Sequence, residues 1–423
     1  MTSEHIILED NLPSCDFDPS SITVDQAMSH IRDTIVAIDE SETLGLHAAL
    51  GRVTAEDVVS TSNVPNHTNS AMDGYAINGG DIPASGVARF ELVGASFAGA
   101  PFHGKVGPMQ CVRIMTGAVM PDHTDSVVMQ ERVECEGNTI GITAAEKQGS
   151  HVRYAGEDIK TGDVVIPSGT RLGASQLGLL ASLGFPEVNV IRRPRIAYFS
   201  NGDELKSVGT PLEIGEVYDS NRYTLHAMLS DLGVEQIDLG VVKDDREAIA
   251  QTITEAASRA DLVITTAGAS VGDADYIKEI LASLGQISFW KVAIKPGRPL
   301  SFGKLGHSLF FGLPGNPVSV MVTFQIFLKP AIRQLAGERH AVPMILKMRL
   351  VADLTKKPGR MEYQRGIMSV DGNGETVVSS TGEQGSGILS SMSKANCYII
   401  LSDDSTGAKA GEWVKVQPFD QTG

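Results

Sequence analysis

The chain has few cysteines for its length. Cys15, Cys111, Cys135 and Cys397 are scattered through 423 residues without a CxxC pair. That spacing argues against a disulfide framework or a thiolate zinc site. The ten histidines are equally dispersed, with no HExxH and no pair at ligand spacing. Any metal should therefore be a hard cation held by oxygen. No apolar run approaches the roughly 18 residues of a membrane span. The opening "MTSEHIILEDN" is acidic and lacks the apolar core of a signal peptide. A cytoplasmic protein is expected. Positive charge is also short: 35 Lys and Arg against 51 Asp and Glu give a net charge of −16. Nonspecific nucleic-acid binding needs the opposite balance. An anionic small substrate stays open, because a local basic pocket can override the global field.

What is present reads as an ordinary globular chain, 42% hydrophobic and 20% charged, long enough for two to four domains. No internal repeat or low-complexity tail is visible. "TVDQAMSHIRDTIVAI" places Thr23 and Gln26 at capping-box spacing and repeats Val24, Met28, Ile31, Ile35 and Ile38 at helical intervals. "LGLHAALGRVTAEDVV" reads as a second helix. Short β-type runs ("ARFELVG", "CVRIM", "SVVMQ", "NTIGIT") then alternate with Gly and Pro, and "GASQLGLLASLGF" returns to helix. This texture suggests a β-rich domain, 61–150, inserted into an elongated N-terminal domain made of 1–60 and 151–190. From 191 to 338 strands and helices alternate, predicting a doubly wound, mostly parallel α/β sheet. Its strands would be "RIAYFS", "QIDLGVV", "DLVITT", "ISFWKVAI" and "SLFFGLP". Residues 339–423 turn all-β, as in a small barrel. The expected fold class is multidomain α/β.

Ligands of doubly wound sheets bind beyond the C-terminal ends of the strands. The residues just past each predicted strand are therefore informative. The five ends carry Asn201-Gly202-Asp203-Glu204, Lys243-Asp244-Asp245, the loop Ala267 to Asp275, Lys295-Pro296-Gly297-Arg298, and, after Pro314, the helix start Gly315-Asn316-Pro317. The loop "AGASVGDAD" offers Gly268, Ser270 and Gly272 for close backbone approach. Small-residue loops and helix starts hold phosphate through N–H groups. Lys291, Lys295 and Arg298, within one stretch of eight residues, could neutralise charge on a phosphate oxygen. Carboxylates such as Asp244 and Asp275 would repel that phosphate unless a divalent cation bridges them, so Mg²⁺ is implied. The ligand suggested is a metal-bound phosphoanhydride. A second cluster, "PNHTNSAMDGYA", holds Asp73, which in a plain turn would bond its own backbone. "RIMTGAVMP" holds Thr116 in a similar turn.

"NSAMDGYA", "RIMTGA", "GEDI", "GDEL", "YDSNR", "SVGDADY", "FWKVAIKPGRP", "GLPGNPVS" and "QRG" occur in the order seen in molybdopterin molybdotransferases, the MoeA proteins and gephyrin E-domains. The chain resembles that family over essentially its whole length. The resemblance implies molybdenum insertion into adenylylated molybdopterin with AMP release, the last step of cofactor synthesis, with Mg²⁺ and with molybdate as co-substrate. It implies a homodimer whose site is shared between subunits, and makes molybdopterin adenylyltransferase and apo-molybdoenzymes candidate contacts. Neither nucleic acid nor membrane is implied. By motif the family's functional positions fall on Asp73, Thr116, Glu204, Asp244, Asp275, Lys291 and Lys295, and in the barrel on Arg365 and Ser386. Asp244 and Asp275 would hold Mg²⁺, Glu204 would order water or nucleotide, and Lys291 and Lys295 would take molybdate or the leaving phosphate. Asp73 and Thr116 would position the pterin end, and Arg365 and Ser386 would meet an anion from the barrel side. The family pattern is altered at Ala267, at Asn201 where Thr is common, and at Arg298 where Lys is common. Two other readings compete. An adenylyltransferase needs only the 192–337 region, and a receptor scaffold needs a fused second module.

Overall fold

The computed structural model describes residues 18–266, 275–339 and 343–419, which fall into two compact units. The larger comprises 1–42, 51–53 and 190–423, and the smaller 43–50 and 54–189. Helix α1 (Val24–Thr34) begins as its sequence demands. Gln26 N donates to Thr23 Oγ1 at 3.1 Å and Thr23 N donates to Gln26 Oε1 at 2.9 Å, closing the capping box. The second stretch expected to be helical is not. It holds a single 3₁₀ turn, Leu46–Ala49, ended by Gly51 at φ 73°. A glycine in the left-handed region, followed by β-branched Val53 and Thr54, leaves no run long enough for an amphipathic face.

In the smaller unit six strands form one sheet. They are β1 (Gly74–Ile77), β2 (Val87–Ser96), β3 (Gln110–Ile114), β4 (Ser126–Met129), β5 (Glu134–Glu136) and β6 (Thr139–Thr143). Their order is β4-β1-β3-β2-β6-β5. Successive residues of β1 point to opposite sides: Tyr75 and Ile77 join Phe90, Cys111 and Ile140, whereas Ala76 joins Ile114 and Val127. Gly74 is obligatory, since a Cβ there would lie 2.0 Å from the Val128 carbonyl oxygen. Two short antiparallel pairs flank this sheet in sequence, Val58–Val59 with Val164–Ile166 and Asn69–Ser70 with Val152–Arg153. Helix α2 (Ala174–Ser182) follows.

The larger unit contains a sheet of β7 (Arg195–Asn201), β8 (Glu235–Val242), β9 (Leu262–Thr266), β10 (Gln286–Lys291), β11 (Pro299–Leu305) and β12 (Ser308–Leu313), ordered β8-β7-β9-β12-β11-β10. The four strands β8, β7, β9 and β12 run parallel. Helices α3 (Ser220–Leu232), α4 (Arg246–Arg259), α5 (Asp275–Leu284) and α6 (Pro317–Thr323) cover both faces. Tyr198, Ile264 and Phe311 face a core with Leu225, Val318 and the α1 residues Val24, Ala27 and Ile31. Phe199, Val263 and Phe310 face the opposite core with Ile249, Ile253 and Leu281. Burial on both faces is why these strands read as continuous apolar runs. Among the described residues no helix is long and apolar enough to cross a membrane.

The sequence reading missed β11, and the structure corrects it. "PLSFGKL" forms an antiparallel hairpin with β12 through Gly306-His307, and β10 is antiparallel to β11. "ISFWKVAI" is also not one strand. Its first part is β10, while Ile294–Lys295 leaves the sheet and pairs in parallel with Met361 and Glu362. The final region is a closed five-stranded barrel of β13 (Leu346–Leu350), β14 (Met361–Val370), β15 (Thr376–Ser380), β16 (Cys397–Leu401) and β17 (Trp413–Pro418). Met348, Val378, Ile399 and Val416 fill it.

One ion pair ties the start of β7 to the start of β9. Arg192 donates to Asp261 in a fork at 2.7 and 2.8 Å, and Arg195 N adds a third bond at 2.7 Å. Burial pushes the Asp261 carboxyl up, but Arg192 and the Arg195 N–H outweigh it, so its pKa lies below the ordinary 3.8. A depressed folded pKa stabilises above the unfolded value and is lost as pH falls through the folded one. Asp261→Asn is therefore expected to lower the thermal midpoint at neutral pH, with the difference from wild type shrinking as pH falls below the ordinary carboxyl value, a convergence that melting curves across pH would reveal.

Candidate functional site

The sheet direction brings several of the expected site residues to one edge. Because β10 is antiparallel to β11 and β11 to β12, β10 ends at the same edge as β7, β9 and β12. Glu204 comes after β7, Asp244 after β8, Lys291 closes β10, and Pro314, Gly315 and Asn316 come after β12. The floor is polar and enclosed. Thr266 Oγ1 donates to Ser200 Oγ at 3.0 Å, and Ser200 donates to Asp219 Oδ1 at 3.1 Å, all three residues being buried. Asp219 also caps α3 through Arg222 N. Asn221 Nδ2 donates to the Gly315 carbonyl at 2.7 Å, while its buried Oδ1 has no partner. This network fixes the loop after β12.

Gly268, Ser270 and Gly272 lie outside the described residues, as does the side chain of Asp275, whose backbone opens α5. Among the described residues no group of three His, Cys, Asp or Glu side chains is placed to hold a metal ion. Asp203, Glu204 and Asp244 nonetheless share this edge, and Asp244 N donates to Asp203 Oδ1 at 3.3 Å. Mg²⁺ typically takes one or two carboxylates and completes its shell with water and substrate phosphates. A sparse, oxygen-only donor set at a sheet edge fits that habit.

The cations are each held by a carboxylate. Lys295 Nζ donates to Glu362 Oε1 at 2.8 Å, and the Glu362 side chain is only 5% exposed. Lys291 and Arg298 both contact Asp18. The barrel reaches the rim through Ser386, whose Oγ accepts from Asn316 Nδ2 at 3.1 Å and whose carbonyl accepts from Val318 N at 3.2 Å. Arg365, expected to meet an anion, is instead 1% exposed. Its Nε donates to Ser391 Oγ at 3.0 Å and its Nη2 to the Gly385 carbonyl at 3.0 Å. Gln384 grips its backbone from both sides. The Arg365 guanidinium thus braces the loop that carries Ser386.

In the smaller unit, Asp73 does not close its own turn. Asp73 Oδ1 accepts from Thr116 N and from Thr116 Oγ1, both at 2.8 Å. Those two bonds, the backbone one foremost, hold its carboxyl below the ordinary range. The pair joins two turns 43 residues apart into one anionic element at the mouth of β1 and β3.

Family models match three stretches in this order. The MoeA N-terminal region (domains I and II) matches residues 22–184, a probable molybdopterin binding domain 197–334, and the MoeA C-terminal region (domain IV) 347–419. The molybdopterin molybdenumtransferase of Haemophilus influenzae is 43% identical over 400 residues, 94% of this chain and 98% of the relative. The chain belongs to the MoeA family. The molybdopterin molybdenumtransferase of a Nostoc species is 39% identical, with 89% of this chain and 88% of the relative covered. The molybdopterin biosynthesis MoeA protein of Pyrococcus horikoshii superposes with a TM-score of 0.83 at 28% identity, covering 94% of this chain and 100% of that one.

For a MoeA chain, four residues of this site escaped the sequence reading. Asp219 and Asn221 stood in the motif "YDSNR", and the polar floor is their signal. Glu362 and Asp18 left none, because nothing in spacing reports that a residue 67 positions from Lys295, or one 273 from Lys291, lies against it.

Proposed function

We propose that the protein inserts molybdenum into adenylylated molybdopterin and releases AMP, the last step of molybdenum cofactor synthesis. The observation that carries this reading is the rim itself. Lys291, the carboxylates that follow adjoining strands and the Gly315-Asn316 helix start lie at one edge of the sheet, with Arg298 tied to Lys291 through Asp18 and Lys295 on the segment that crosses to the barrel, in a chain whose family includes enzymes named for this transfer. In this reading the pyrophosphate of the substrate lies along the rim, and Lys291, Lys295 and Arg298 neutralise the oxygens that gain charge as the P–O–P bond breaks. Asp244, with Asp203 beside it, and Asp275 would hold Mg²⁺, which supplies charge compensation for the anhydride. Glu204 orders water or the nucleotide at the end of β7. Ser386 and Asn316, fixed to each other, bound the site from the barrel side. The Asp73–Thr116 pair positions the pterin or molybdate end, and a homodimer in which one protomer lends this pair to its partner is part of the reading.

The test is AMP release from adenylylated molybdopterin with Mg²⁺, with and without molybdate. Wild type should release AMP only with molybdate, and Asp73→Ala should be slower by roughly ten- to a hundredfold, the scale of a lost positioning contact. No AMP release by wild type would sink the proposal, and ATP consumption with molybdopterin would point instead to adenylyl transfer.

A further inference from the structure

Asp18 is the least expected residue at the rim. It lies 273 residues before Lys291 and outside every family motif of the chain. Its carboxylate nevertheless sits on two of the three cations: Oδ2 is 3.5 Å from Lys291 Nζ and in a closer contact with Arg298 Nη2. The placement is enforced by backbone. Ile22 N donates to the Lys291 carbonyl at 2.9 Å and Ala293 N donates to the Ile22 carbonyl at 2.8 Å, so residues 18–22 are laid along the chain that carries the cation. Ser20 then aims the carboxylate, donating to Asp18 Oδ1 from its N–H at 2.9 Å and from its hydroxyl at 2.6 Å. Those Ser20 bonds, with Lys291 and Arg298 adding to them, hold the Asp18 carboxyl at about 2, so it is charged at any working pH. The cations are not saturated, since Arg298 Nε is buried without a partner.

We propose that Asp18 is a built-in competitor for the substrate oxyanion, occupying the Lys291–Arg298 pair and setting how tightly that pair binds a tetrahedral dianion. The inference rests on the proposed function, in which these cations receive molybdate or a phosphate. A carboxylate presents two oxygens to a guanidinium as a phosphate or molybdate does. An oxyanion entering the pair must share it with Asp18 or displace it, and either lowers affinity. The pair is about two-fifths exposed, so the effect is moderate and screened by salt.

Binding of molybdate and of AMP, titrated separately by calorimetry on the full-length protein, tests this. Asp18→Asn keeps an oxygen for the Ser20 N–H and removes the charge. It should bind the oxyanion that uses the pair about three- to fivefold more tightly at low salt, with the gain shrinking at about 0.5 M KCl as screening predicts. Asp18→Glu should restore affinity toward wild type, which a merely structural role for the Asp18 turn would not do. Whichever titrant responds identifies the oxyanion. Unchanged or weaker binding of both titrants by Asp18→Asn, alongside weakened binding by Arg298→Ala, overturns the competitor and leaves the cation reading standing. Unchanged binding by both variants overturns the cation reading, and the competitor with it.

Discussion

Lys295→Ala is expected to slow molybdate-dependent AMP release by roughly 10²–10³-fold, the scale of removing one fixed charge-stabilising donor from a reaction centre. Lys295 stands on a two-residue strand whose register sets it opposite Glu362. The ammonium is 43% exposed on the rim, while its partner carboxylate is enclosed and further fixed by Gln364 Nε2 at 2.9 Å. Glu362 is thus an anchor that aims the lysine, and in the proposed reading the remaining ammonium donors meet the substrate. Lys295→Arg should recover only part of the rate, because a planar fork cannot meet both Glu362 and a substrate oxygen along the lysine's line. Glu362→Gln should cost less, roughly tenfold, since the cation remains and only its aim is lost. Turnover of Lys295→Ala within about threefold of wild type, at matched stability, would reduce the pair to a strut between sheet and barrel.

Much of the scaffold behind this pair is legible in sequence because it rests on periodicity. The continuous apolar runs of β7, β9 and β12 arise from burial on both faces, and Leu225, Met228 and Leu229 mark one face of α3. The parallel strand ends then gather Glu204, Asp244 and Asn316 without any coordinates. What failed was local and has local causes. "PLSFGKL" is short, begins with proline and is joined to β12 by two residues, so it did not separate from the loop before it. "ISFWKVAI" looks like one strand because a chain crossing from a sheet to a barrel keeps its apolar alternation. The apparent helix at 44–59 failed at Gly51.

Side-chain partners were the least legible layer. Motif residues announce chemistry, but their counterions sit wherever the fold brings them, as Asp18 and Glu362 show. Resemblance has a matching blind spot. It marks Arg365 and Lys295 alike as functional, yet one is enclosed and the other faces the rim. Only burial and hydrogen bonds separate a residue that meets the substrate from one that positions its neighbour.

That distinction gives the second large effect. Arg365→Ala should destabilise the barrel by about 2–4 kcal/mol, because it leaves buried acceptors without their donor and a cavity where a long side chain stood. Burial pulls the guanidinium pKa down, yet the group stays charged, because its ordinary value is 12.5. Its removal would leave the Ser391 hydroxyl and the Gly385 carbonyl short of a donor inside the fold. The loop from Glu383 to Ser386 would then lose its brace, and Ser386 its fixed contact with Asn316. Arg365→Lys should be nearly as damaging, since one ammonium cannot span Ser391 and two carbonyls in the guanidinium's plane. Ser386→Ala should behave oppositely, leaving thermal unfolding within about 0.5 kcal/mol of wild type, as expected for a change at an exposed contact, while weakening substrate binding. Unfolding followed by circular dichroism, with molybdate titration of whatever remains folded, separates the cases. If Arg365→Ala melts like wild type and loses only anion affinity, the guanidinium meets the anion directly and the positioning role assigned to it fails.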